Sequence, residues 1–137
     1  MKTYVFDSTA LFTFIENENG INKVESLLQQ AINKEVEIFT SVVSSIEVFY
    51  VSYQKQGKDV ARNRISLLEV LPLIQIELTN DLVEIIGEIK ATKKMSFADC
   101  CIAGLAKLKN AILVHKDPEF EQVENEIEQL KLPYKQK

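Results

Sequence analysis

Apolar residues recur along the chain in two alternating rhythms. Thr3-Tyr4-Val5-Phe6, Val36-Glu37-Ile38-Phe39-Thr40-Ser41, Leu73-Ile74-Gln75-Ile76-Glu77-Leu78 and Ala111-Ile112-Leu113-Val114 are short runs rich in β-branched and aromatic residues, the length and composition of strands. Between them the apolar positions move to helical spacing. Residues 10–15 predict a short helix closed by the turn chemistry of Asn17-Glu18-Asn19-Gly20, and Val24, Leu27, Leu28, Ala31 and Ile32 line one face of a second. A third helix opens near Ser44 and Ser45, which places Glu47 in its first turn, and ends at Gln56-Gly57-Lys58. A polar helix carrying Val60, Ile65, Leu67 and Leu68 then runs to Leu71-Pro72, and another starts at Thr79 or Asn80 and reaches about Thr92. Residues 96–106 are apolar almost all the way round, so that helix belongs at the centre of the core. A helix start at Asp117-Pro118-Glu119, an edge strand around 127–130 and a basic terminus complete the pattern. Strand and helix alternate without repeats or linkers. The expectation is one α/β domain over residues 1–137, with a mainly parallel central sheet flanked by helices.

Four acids stand at element boundaries. Asp7 ends the first strand, Glu47 and Asp99 lie where helices open, and Asp117 follows the short strand Ala111-Ile112-Leu113-Val114. Each has a local explanation. Asp7 and Asp117 suit helix caps, and Ser44-Ser45-Ile46-Glu47 and Ser96-Phe97-Ala98-Asp99 both fit the capping box. Their repetition adds something the caps do not explain. In a right-handed parallel fold these positions converge on the carboxyl edge of the sheet, where ligands bind. Carboxylates a few ångströms apart repel one another, and Asp99 is the one charge in an apolar helix. A hard cation resolves both problems, and an all-oxygen donor set favours Mg²⁺ or Mn²⁺ over zinc.

Composition narrows the classes further. With a formal charge of −4 and pI near 5.1, the chain lacks the basic surface of a protein that wraps phosphate backbone. Adjacent Cys100 and Cys101 suit neither an ordinary disulfide nor a C-x-x-C metal pair, and a single histidine cannot build a zinc site. They are expected to be buried thiols in a reducing, cytoplasmic setting. No apolar run approaches membrane-spanning length, and no signal peptide is expected ahead of the first strand.

Val5-Phe6-Asp7-Ser8-Thr9-Ala10-Leu11, Ser45-Ile46-Glu47, residues 96–103 and residues 113–120 resemble, in order and across nearly the whole chain, the four acidic motifs of PIN domains. More narrowly they are similar to the VapC-type toxins of bacterial and archaeal toxin-antitoxin pairs. The resemblance implies a Mg²⁺- or Mn²⁺-dependent endoribonuclease in which Asp7, Glu47, Asp99 and Asp117 bind metal and carry catalysis. It implies that Ser8 or Thr9 orders an acid or a metal water, and that a cognate antitoxin and a second copy of the chain are partners. One position departs from the family pattern. His115 stands where Thr or Ser is usual two residues before the last acid, which opens either a supporting or a direct role for its imidazole.

Lys93, Lys94 and Lys116 are candidate RNA contacts beside the acids, although lysines near a helix C-terminus are also stabilising as a solvated end. Val48, Phe49, Val51 and Tyr53 give the third helix apolar surface on more than one side, the expected homodimer face. A haloacid-dehalogenase-like phosphatase needs a second Asp at position 9, where this chain has Thr9, and a receiver domain needs an Asp after the third strand. The remaining alternative is an inactive PIN-like interaction module.

Overall fold

The computed structural model describes residues 1–135; the last part of the basic terminus, 136–137, lies outside them. Strands β1 (Lys2–Phe6), β2 (Val36–Ser41), β3 (Ile74–Ile76), β4 (Ile112–His115) and β5 (Gln129–Lys131) form one sheet in the order β3-β2-β1-β4-β5. Every pairing is parallel. The chain first moves from β1 through β2 to β3, then crosses back to place β4 on the other side of β1. The order therefore reverses between β1 and β4, and a crevice opens at their carboxyl ends.

Side-chain alternation assigns each sheet face to its own layer. Val5, Phe39 and Leu113 share one row of the register and pack under α5 (Val83–Thr92) and α6 (Phe97–Lys109) with Cys100, Cys101, Leu105 and Phe120. Tyr4, Phe6, Ile38 and Val114 point the other way, against α1 (Ser8–Ile15), α2 (Ile21–Ile32), α3 (Val42–Gln56) and α4 (Lys58–Val70). Full burial of side chains such as Val5, Phe6 and Leu113 contributes about 1.5–3 kcal/mol each, so both faces are needed to hold the sheet. Helix α6 meets α5 closely at Gly104, where a Cβ would lie 2.6 Å from Ile86 Cγ1. Gly57, at φ +91°, ends α3 and turns the chain into α4.

The structure differs from the pattern-based expectation at several boundaries. Helix α3 starts at Val42, because Ser41 at the end of β2 accepts the Val43 N–H through its own hydroxyl, 3.1 Å away. Ser44 is consequently inside the helix and buried, no capping box forms there, and Glu47 lies in the second turn. Strand β3 covers only Ile74–Ile76, and a 3-10 turn, Asn80–Leu82, precedes α5. The segment after Asp117 is also a 3-10 turn, Pro118–Val123. Val48 is wholly buried on the inward stripe with Ser44 and Ser52, so it cannot belong to an exposed dimer face. Cys100 and Cys101 are buried and unbridged, as expected. No helix among the described residues is long and apolar enough to cross a membrane.

Candidate active site

Asp7 leaves β1 and caps α1, accepting the Ala10 N–H at 2.9 Å. The Thr9 hydroxyl donates to the Asp7 carboxylate, 2.7 and 2.8 Å from its two oxygens, and accepts the Lys116 N–H at 2.9 Å. One threonine thus fastens the first acid to the end of β4. Asp117 caps the 3-10 turn, accepting the Glu119 N–H at 2.9 Å. In α6 the Asp99 N–H donates to Ser96 Oγ at 3.1 Å, which is half of a capping box. The other half is supplied from a distance: Glu119 Oε1 accepts the Ser96 N–H. Because Glu119 takes that N–H, the Asp99 carboxylate stays available to the crevice.

Ligand oxygens of Asp99, Asp117 and Glu119 lie within 4.8 Å of one another. Asp7 and Glu47 stand outside this tight group but border it, since the Asp117 charge acts on both and Glu47 acts on Asp7. Burial pushes the Asp7 carboxyl up to about 7 against the opposing hydrogen bonds from Thr9 and Ala10, with the Asp117 and Glu47 charges adding to the rise. Asp99 is raised well above the carboxylate range by burial, then by the charge and hydrogen bonding of Asp117 and the charges of Glu119 and Asp7. Glu47 is raised by burial and by Asp117, while the Ser8 hydroxyl opposes the shift. Its Oε1 is buried with no hydrogen-bond partner. Crowded, dehydrated carboxylates with an unmatched oxygen are suited to a cation, and the donor set is all oxygen.

His115 ends β4 fully buried. Its Nδ1 accepts the Asp117 N–H at 3.0 Å and its Nε2 lies 2.7 Å from Gln129 Oε1. With both nitrogens engaged inside the protein, the imidazole supports the last acid and is out of reach of a substrate. Burial lowers its pKa, against the pull of Gln129 and Asp117. Lys116 departs from its expected role as an RNA contact. Its side chain is buried and its Nζ lies 3.5 Å from Glu18 Oε1. Lys93 Nζ is 3.9 Å from Glu126, while Lys94 is exposed and bound through its backbone to Gln122. Glu119 was not among the expected ligands; its proximity to Asp99 depends on a fold contact between segments 23 residues apart.

The fold is thus a five-stranded parallel sheet with carboxylates gathered at its switch point. The PIN domain family matches residues 4–126, and the chain belongs to that family. No curated protein sequence matches it. Among solved structures it is similar to a chain of the VapBC2 complex of Rickettsia felis bound to a promoter DNA fragment, with TM-score 0.76 and 17% identity over 96% of this chain and 99% of that one. A chain of the DNA-bound VapBC complex of Salmonella typhimurium gives 0.72 and 18% over 96% and 98%. VapC20 of Mycobacterium tuberculosis, described as a sarcin-ricin loop cleaving toxin, gives 0.69 and 14% over 88% and 94%.

Proposed function

We propose that this protein is a metal-dependent endoribonuclease, the toxin of a toxin-antitoxin pair, acting in the cytoplasm. The observation that carries the reading is the carboxylate group itself: Asp99, Asp117 and Glu119 within mutual ligand distance, bordered by Asp7 and by Glu47 with its unpartnered buried oxygen. Asp7, Glu47, Asp99 and Asp117 hold Mg²⁺ or Mn²⁺, with Glu119 as an additional oxygen donor. The bound ion supplies positive charge and a water acidified toward neutral pH. Thr9 keeps the Asp7 oxygens oriented, the Ser8 hydroxyl lies near the Glu47 carboxylate, and His115 holds the Asp117 backbone. Without a bound cation the crevice would be negative and would repel RNA phosphates until the acids were neutralised. Its sign also suits a basic antitoxin segment, and one of the similar structures is a toxin-antitoxin complex from Klebsiella pneumoniae. The test is cleavage of a structured RNA with Mg²⁺ or Mn²⁺. Chelation and Asp7→Asn should each abolish it, and cleavage that survives either one removes the proposal.

A homodimer is the second partner we propose, through a corrected face. Ile46, Tyr50 and Tyr53 are exposed on α3, and Phe49 and Val51 are half-buried. Ile46, Phe49 and Tyr50 line an apolar groove of about 440 Å³ with Ile65, Leu68 and Leu73. The variant Ile46→Glu/Tyr50→Glu is expected to halve the mass measured by light scattering without changing the far-UV circular dichroism of the folded chain, because neither side chain is in the core. An unchanged mass excludes this face.

A further inference from the structure

We propose that Gln129 on β5 is a positioning residue for the acidic site. This rests on the metal-site reading above and extends it to a residue that touches none of the acids. The case follows from hydrogen-bond polarity. The Asp117 backbone N–H can only donate, so His115 Nδ1, 3.0 Å away, must carry a lone pair. The neutral imidazole then holds its proton on Nε2, which donates to Gln129 Oε1 at 2.7 Å. With its oxygen committed, the Gln129 amide turns its NH₂ toward the Phe120 carbonyl, where Nε2 donates at 2.7 Å. Each link has one polarity, and each fixes the next.

Those links grip the catalytic turn at two points. His115 holds the residue at its start, Asp117, while Gln129 holds Phe120, the residue after Glu119. Two of the three carboxylates within ligand distance thus sit on a segment braced by a single side chain from the neighbouring strand. The brace is well anchored: Leu113 pairs with Gln129 in the β4-β5 register, the Leu132 N–H donates to the His115 carbonyl at 2.8 Å, and the His115 and Phe120 rings lie 4.9 Å apart. A tautomer switch in His115 would place Nδ1–H against the Asp117 N–H, donor facing donor. Gln129 prevents it by accepting from Nε2. This is how an outer partner sets ligand orientation at a metal site, where its loss commonly costs 10–100-fold in affinity.

The experiment compares wild type, Gln129→Leu and the double variant Gln129→Leu/His115→Thr. Readouts are Mn²⁺ affinity by calorimetry, the His115 tautomer by ¹⁵N NMR, and hydrogen exchange of the Asp117 amide. Gln129→Leu should bind Mn²⁺ about tenfold more weakly, show a mixed tautomer and exchange the Asp117 amide faster. Threonine at 115 can accept that N–H through its own hydroxyl without help from position 129. The double variant, which still lacks the bond to the Phe120 carbonyl, should therefore regain Asp117 amide protection and part of the affinity, which general damage to β5 would not permit. Wild-type His115 protonated on Nδ1, or a Gln129→Leu protein with unchanged protection and affinity, overturns the proposal. If wild type binds no Mn²⁺, the metal-site reading fails, while the tautomer and exchange measurements still decide whether Gln129 braces the turn.

Discussion

Asp99→Asn should lower RNA cleavage by on the order of 10³-fold and, at pH 8 without metal, make the protein more stable. Asparagine has the shape of aspartate and keeps the backbone N–H bond to Ser96 Oγ, so α6 retains its cap. It loses the charge that a cation requires, which removes several kcal/mol of electrostatic stabilisation from the reaction. The same charge is a burden when the site is empty. Asp99 is half-buried beside Asp117 and Glu119, and its raised pKa reflects burial and their repulsion. Removing it relieves both, and the metal-free melting temperature should rise by several degrees. Mg²⁺ should then stabilise the wild type and leave the variant nearly unmoved. A variant that melts lower than wild type under these conditions would show that Asp99 is held by internal bonds, with no need of a cation.

Much of this site was legible because strand ends and helix starts are marked locally. Asp7 terminates a β-branched run and Asp117 precedes a proline, so their place at the sheet edge follows from the parallel topology alone. The serine pattern places Glu47 one turn too early. Ser44 and Ser45 look like caps in isolation, but Ser41 was already in position to cap when the strand ran directly into the helix. The misplacement did not move Glu47 out of the crevice, since the helix axis still starts at the same edge.

What escaped the sequence depends on partners distant along the chain. Lys116 looks like a solvent-exposed cation until folding brings Glu18 to its ammonium. Glu119 looks like an ordinary first-turn acid, and only its bond to the Ser96 N–H reveals that it releases Asp99 from capping. The sequence leaves His115 between a supporting and a direct role because a buried imidazole takes its function from both neighbours, one of them on β5. Val48 differs from its expected exposure for another reason. The inward stripe Ser44, Val48, Ser52 contains two serines, so apolar spacing understated which side of α3 meets the core.

Without metal the protein should melt at a higher temperature at pH 5 than at pH 8, and Mn²⁺ should narrow that gap. Asp7 has its carboxyl raised from 3.8 to about 7, so between those values the folded state holds a proton that the unfolded state has released. Stability must then fall as pH rises through this window, and the full cost is present above it. About two of the pH units in that interval lie above pH 5, at about 1.4 kcal/mol each, which makes the Asp7 contribution between pH 5 and pH 8 on the order of 3 kcal/mol. Asp99 and Glu47, also raised, act in the same direction. His115 acts oppositely. Its lowered pKa means the folded state sheds its proton first and gains stability as pH rises, but this is one imidazole against three carboxyls. Metal binding requires the carboxylates ionised, so it releases protons and strengthens from pH 5 to pH 8. At a free concentration 100 times the dissociation constant it adds about 2.7 kcal/mol. The measurement is a set of melting curves at the two pH values with and without Mn²⁺, with proton release followed by calorimetry in buffers of different ionisation enthalpy. Metal-free stability that climbs from pH 5 to pH 8 would mean that the acids are not in conflict, and the physical reason for a cation in this crevice would be gone.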